Sequence, residues 1–138
     1  MKKEQVNRMK KSVIVFLMIL LLGACSSEKE MVIYPGDNAE SLKPIMQKQE
    51  SIHGYKGVIN AKDVVVAINI NRFDRFHKVK IEKKITKQIE KQFPDKQVLV
   101  TGDQKILWEV ETIIEKNLKE EDLKKSIEKI KSLSKEET

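Results

Sequence analysis

The sequence is poor in the residues that usually carry chemistry: it has one cysteine, two histidines and one tryptophan, with five glycines and three prolines among 138 residues. A single cysteine excludes an intramolecular disulfide and a multi-cysteine metal site. The two histidines, His53 and His77, stand at no ligand spacing from each other or from the cysteine, so a zinc centre lacks donors. Both read as exposed structural residues. A hydrolase or transferase needs a nucleophile, a base within reach and an oxyanion site, and the chain offers no such set. No enzymatic activity, cofactor or metal is expected.

Scarce glycine closes another route. Gly54-Tyr55-Lys56-Gly57 has neither the glycine count nor the Lys-Ser/Thr pair of a phosphate-binding loop and reads as a turn. Asp37, Asp63, Asp74, Asp95 and Asp103 are scattered without calcium-loop spacing, at positions where aspartate serves turns and caps.

Charge of one sign is also missing once the chain is divided. The formal net charge is +6, but residues 1–24 hold five of the 27 basic groups (Lys2, Lys3, Arg8, Lys10, Lys11) and one of the 21 acidic groups. The remainder has 22 basic against 20 acidic side chains, a net of about +2 with both signs interleaved. A nucleic-acid interface needs one sign clustered on one face, so no nucleic-acid partner is expected.

What is present begins at the N-terminus. Val13 to Leu22 is an unbroken apolar run, preceded by Lys10 and Lys11 and followed by Gly23 and Ala24, which is the layout of an export signal. As a helix, the run through Cys25 would span roughly 20 Å, short of a hydrocarbon core of about 30 Å. An uncleaved signal anchor is the bland alternative. Met9-Lys10-Lys11 also has the form of a leader start, so Met9 competes with Met1 as the first residue.

Leu22-Gly23-Ala24-Cys25 resembles the lipobox of bacterial lipoproteins. That resemblance implies cleavage between Ala24 and Cys25, a diacylglyceryl group on the Cys25 sulfur and an acyl group, such as palmitate, on the new amino group. Two acyl chains matter because one gives only marginal membrane binding. The implied location is the extracytoplasmic face of a membrane, held by lipid on Cys25.

Beyond Cys25, residues 25–51 carry Pro35, Gly36 and Pro44 without a sustained period and read as a tether, although Met31-Val32-Ile33-Tyr34 is more apolar than a tether requires. Residues 52–118 read as a small two-layer α/β (α+β) domain in β-α-β-α order with two or three strands. Val58-Ile59 is a short edge strand, and Val64 to Ile70 a β-branched central one. Asn71 or Asp74 caps a helix whose Ile81, Ile85 and Ile89 form an apolar stripe. Phe93-Pro94-Asp95 stops it, and Gln97 to Thr101 is the next strand, parallel to the central one through a right-handed crossover. Asp103 caps a second helix running to about Leu118. Residues 119–138 form a charged helical tail with Leu123, Ile127 and Ile130 in a narrow stripe, free to dock on the domain or on a partner.

The order of lipobox, tether, VVVAINI (64–70), NRFDRFHKVKIEKKITKQIEKQFPD (71–95), KQVLVTGD (96–103) and closing helix resembles the YhcN/YlaJ family of sporulation lipoproteins from Gram-positive bacteria, over Cys25 to Leu118. The resemblance implies attachment to a membrane of the spore or forespore and a role in sporulation or germination. It assigns no residue beyond Cys25. The partner class it leaves open is a protein or the cell wall, and the oligomeric state stays open as well. Two surface features compete with bland readings. Trp108 reads as packed in the core rather than as a partner anchor. The Lys78, Lys80, Lys83, Lys84 and Lys87 series reads as a solvated helix face, with anionic lipid or cell-wall polymer as the alternative.

Overall fold

Residues whose side chains alternate between opposite sheet faces dominate the middle of the chain, and they build a mixed four-stranded sheet in the order β1-β2-β3-β4. The computed structural model describes residues 2–21 and 30–136. Its elements are helix α1 (Lys2–Leu21), strand β1 (Glu30–Tyr34), helix α2 (Ala39–Gln47), strands β2 (Ile52–Ile59) and β3 (Asp63–Ile70), helix α3 (Lys78–Gln92), strand β4 (Gln97–Thr101), and helices α4 (Gln104–Glu115) and α5 (Glu120–Glu136). The α/β class inferred from the sequence holds, with four strands instead of two or three.

β1 pairs parallel to β2, β2 antiparallel to β3, and β3 parallel to β4. The β2–β3 hairpin closes through Asn60, whose Oδ1 accepts from the backbone N–H groups of Lys62 (2.8 Å) and Asp63 (2.6 Å). The run from 30 to 47 is therefore not a tether. Ile33 of β1 and Leu42 and Met46 of α2 are buried in the same cluster as Ile81, Ile85 and Ile89 of α3. Elements of five and nine residues are too short to show a clear period, yet each inserts one or two apolar side chains where the sheet needs covering.

Val58-Ile59 is likewise the end of an eight-residue interior strand, not a short edge. Its glycines belong to that strand and form no turn. A Cβ at Gly57 would stand 2.8 Å from Ile33 Cδ1 and 3.1 Å from the Val65 carbonyl oxygen, so close approach by both neighbouring strands accounts for glycine there.

Helices cover both faces, where the sequence suggested one helix layer. α2 and α3 pack on Ile52, Val64, Val66 and Ile68, while α4 and α5 pack on Val58, Val65 and Ala67. Both crossover helices, α2 and α3, thus share a face, although the strand pairs they connect run in opposite directions. The two crossovers consequently have opposite hands, and one of them departs from the usual right-handed rule.

The tail docks on its own domain. α4 ends in a Schellman motif: Asn117 sits in the left-handed region (φ 51°), its N–H bonds to the Ile114 carbonyl, and the Leu118 N–H bonds to that of Ile113. That reversal lays Leu123, Ile127 and Ile130 against the sheet, all buried. Among the described residues, every member of the two cores lies between Ile33 and Ile130, so the segment from Glu30 onward brings together both cores by itself.

Neither candidate cap of α3 serves. Asn71 and Asp74 do not cap α3, which is preceded by a 3₁₀ turn over Arg72–His77, and the Asn71 side chain instead donates to the Glu50 carbonyl at 2.7 Å. Asp103 does cap α4, accepting from the N–H groups of Lys105 and Ile106. α1 carries the apolar residues Val13 to Phe16 exposed, and no helix among the described residues is long and apolar enough to cross a membrane.

Candidate functional site

The strand directions bring several separate segments to one end of the sheet. Glu30 opens β1 opposite Gly54, Ile52 opens β2 opposite Ile70, and Ala67 near the end of β3 faces Thr101, the last residue of β4. The start of β1, the 3₁₀ turn Arg72–His77 and the start of α4 therefore share that end. In parallel strand–helix units, the region beyond the carboxyl ends of the strands is where ligands are usually met.

A polar cleft of about 390 Å³ lies there, lined by His53, Asn69, Arg75, Lys78, Gly102 and Gln104. Glu82 ties its floor together: one oxygen accepts from the Gly102 N–H at 2.7 Å and stands 3.9 Å from Lys78 Nζ. Both histidines are exposed; His53 lines this cleft, and His77 lines an open groove of about 630 Å³ along α3 with Phe76, Val79, Lys80, Lys83 and Lys84.

The most unusual feature is the 3₁₀ turn between β3 and α3. Phe73 and Phe76 are 89% and 94% exposed, and Val79 is 61% exposed. In a 3₁₀ turn, residues three apart eclipse one another, so Phe73 and Phe76 stand on one line, which Val79 continues into α3. Arg72, Arg75, Lys78 and Lys80 interleave with them. Two fully exposed phenylalanines in one turn form an apolar patch of the kind that marks an interaction surface. The readable signal was their spacing of three between basic residues, off the Ile81-Ile85-Ile89 stripe.

Trp108 corrects another expectation, being 62% exposed rather than packed in the core. At 3.6 residues per turn it falls about 160° from the middle of the stripe formed by Ile106, Leu107, Val110 and Ile113.

Ion pairs of two other lysines are structural. Lys56 Nζ lies 2.8 Å from both Glu30 and Glu111, linking the first residue of β1 to α4, and the hydrogen bonds it donates to Glu111 and then Glu30 raise its pKa above 10.5. Lys131 Nζ lies 3.1 Å from Asp63, which is buried rather than an exposed turn residue, and that hydrogen bond is the main cause of the raised Lys131 pKa. Tyr55 is raised above 10.0 by burial.

Among the described residues, no three His, Cys, Asp or Glu side chains gather closely enough to hold a metal ion. Ala24 and Cys25, the proposed cleavage and lipidation positions, lie outside the described residues. Compared with known proteins, the chain matches no family model, no curated protein and no solved structure.

Proposed function

We propose that the chain is a bacterial lipoprotein, exported by residues 1–24 and held on the extracytoplasmic face of a membrane by lipid on Cys25. Its role is non-enzymatic, in sporulation or germination, and it acts through protein or envelope contacts. The observation that carries the anchor is Leu22-Gly23-Ala24-Cys25 closing an apolar run behind two lysines. The sporulation role rests on the resemblance of residues 25–118 to the YhcN/YlaJ family. A fold that begins at Glu30, five positions after Cys25, is compatible with a lipid close to the domain.

Labelling cells with a fatty-acid analogue tests the anchor. The wild-type protein takes up label and the Cys25→Ser protein does not; equal uptake in both, or uptake in neither, defeats the reading. Mass spectrometry of fractionated dormant spores tests the location through the lipidated N-terminal peptide.

A second reading is a lipoprotein of growing cells that binds a small ligand or assists an envelope enzyme. The cleft lined by His53, Arg75 and Lys78 favours it. Abundant protein in growing cells with none in spores would select this reading over the first.

A further inference from the structure

We propose that the 3₁₀ turn Arg72–His77 and the first turn of α3 form a second membrane contact, in which Phe73, Phe76 and Val79 enter the headgroup region of an anionic bilayer. Arg72, Arg75 and Lys80 meet the lipid phosphates around them. The orientation of the domain rests on the reading of Cys25 as the anchor; the affinity of the turn for lipid does not.

Three observations select a bilayer as the occupant. First, the side chains demand two chemistries at once. Phe73 and Phe76 are 89% and 94% exposed, and a soluble anionic polymer would pair with the arginines yet leave both rings in water. A bilayer interface offers an apolar phase beneath a layer of phosphates, which suits aromatic and basic side chains in alternation.

Second, the chain path brings this turn to the membrane. Cys25 precedes Glu30 by five residues, which span at most about 18 Å when fully extended. Glu30 and the end of β3 lie at the same end of the sheet, with only β2 between their strands. Strands spaced by about 4.8 Å put them roughly 10 Å apart sideways. A lipid on Cys25 thus holds the end bearing Phe73 and Phe76 toward the bilayer and the β2–β3 hairpin away from it.

Third, the local charge is mostly positive. Arg72, Arg75, Lys78 and Lys80 accompany one acidic residue within the segment, Asp74, and the exposed Glu50 beside Asn71, while Glu82 is turned inward to the Gly102 N–H. The net charge of the whole domain hides this. Lys84 and Lys87 lie farther along α3, about 9 Å and 14 Å from its start, so their share is smaller at a Debye length of about 8 Å.

The test uses residues 26–138, which include the whole core, without lipid, in sedimentation with vesicles of phosphatidylglycerol or of phosphatidylcholine. Binding favours phosphatidylglycerol. Phe73→Ser with Phe76→Ser weakens it on the order of tenfold, and Arg72→Gln or Arg75→Gln weakens it roughly fivefold each. These side chains are exposed, so circular dichroism of the variants remains that of the wild type. Equal sedimentation of wild type and the double phenylalanine variant, whether both bind or neither does, overturns the proposal. So does a dimer that the same double substitution abolishes, since the patch would then be a self-association surface. Fatty-acid labelling of Cys25 is scored separately, so loss of the anchor reading and loss of this one give different results.

Discussion

Glu30 lies directly opposite Gly54 in the β1–β2 pairing, and a Cβ at Gly54 would stand 3.0 Å from the Glu30 carbonyl oxygen. Glycine at that position lets the first strand close onto the sheet. The same pairing puts Glu30 at the end of the sheet that carries Phe73 and Phe76, so under the proposed lipid anchor the seating of β1 would govern how the domain faces a membrane.

Substitutions that crowd this seam therefore loosen β1. Gly57→Ala, with the Val65 carbonyl 3.1 Å from the new methyl group, is expected to cost about 1–3 kcal/mol in urea unfolding followed by circular dichroism. Gly36→Ala, whose Cβ would meet nothing within 4 Å, serves as the control and should change stability by less than about 0.5 kcal/mol.

Docking of the C-terminal helix is measurable through Ile127, which is fully buried in the cluster on the α4 and α5 face. Ile127→Ala should cost about 2–5 kcal/mol, the range for emptying a buried aliphatic site. A change within about 0.5 kcal/mol, as at an exposed position, would show a helix detached from the domain in solution.

Lys131 protects a buried carboxylate at the opposite end of the sheet. Lys131→Met leaves the Asp63 side chain, 7% exposed, without its 3.1 Å partner, and is expected to cost about 1–3 kcal/mol. Asp63→Asn combined with Lys131→Met should recover part of that loss in the same unfolding measurement, since no charge is then stranded.

Alkaline pH should weaken the fold in a defined direction. Hydrogen bonds donated to Glu111 and Glu30 raise Lys56 above 10.5, and burial raises Tyr55 above 10.0. For a group whose folded-state pKa exceeds its unfolded one, the folded state holds the proton more tightly. Its contribution is complete below the unfolded value and is lost as pH rises through the folded value. The contribution of these groups to thermal stability should thus be constant up to about pH 10 and fall above it. Lys56→Met should flatten part of that fall; an unchanged profile would detach Lys56 from it.

Local signals in the sequence set much of this fold. The β-branched run Val64 to Ile70, the Ile81-Ile85-Ile89 stripe, Pro94 beyond α3, strand Gln97 to Thr101 and the Asp103 cap all stand where neighbouring residues alone place them. Each depends on contacts within about one or two helical turns or on strand alternation, which composition and spacing record directly. The proposed anchor rests on a signal of the same local kind, Leu22-Gly23-Ala24-Cys25 at the end of an apolar run.

Tertiary structure decided the rest. β1 and α2 were hidden because five and nine residues are too few to carry a clear period; they exist because Ile33, Leu42 and Met46 find a sheet face to cover. β2 became an interior strand because Gly54 and Gly57 admit a neighbour, and the same two glycines read locally as a turn. Exposure of Phe73, Phe76 and Trp108 follows from which helix faces the two cores consume. Burial is a property of partners distant in the chain, so no window of sequence could assign it. That Glu30 and the aromatic turn share one end of the sheet is fixed by strand direction and register alone.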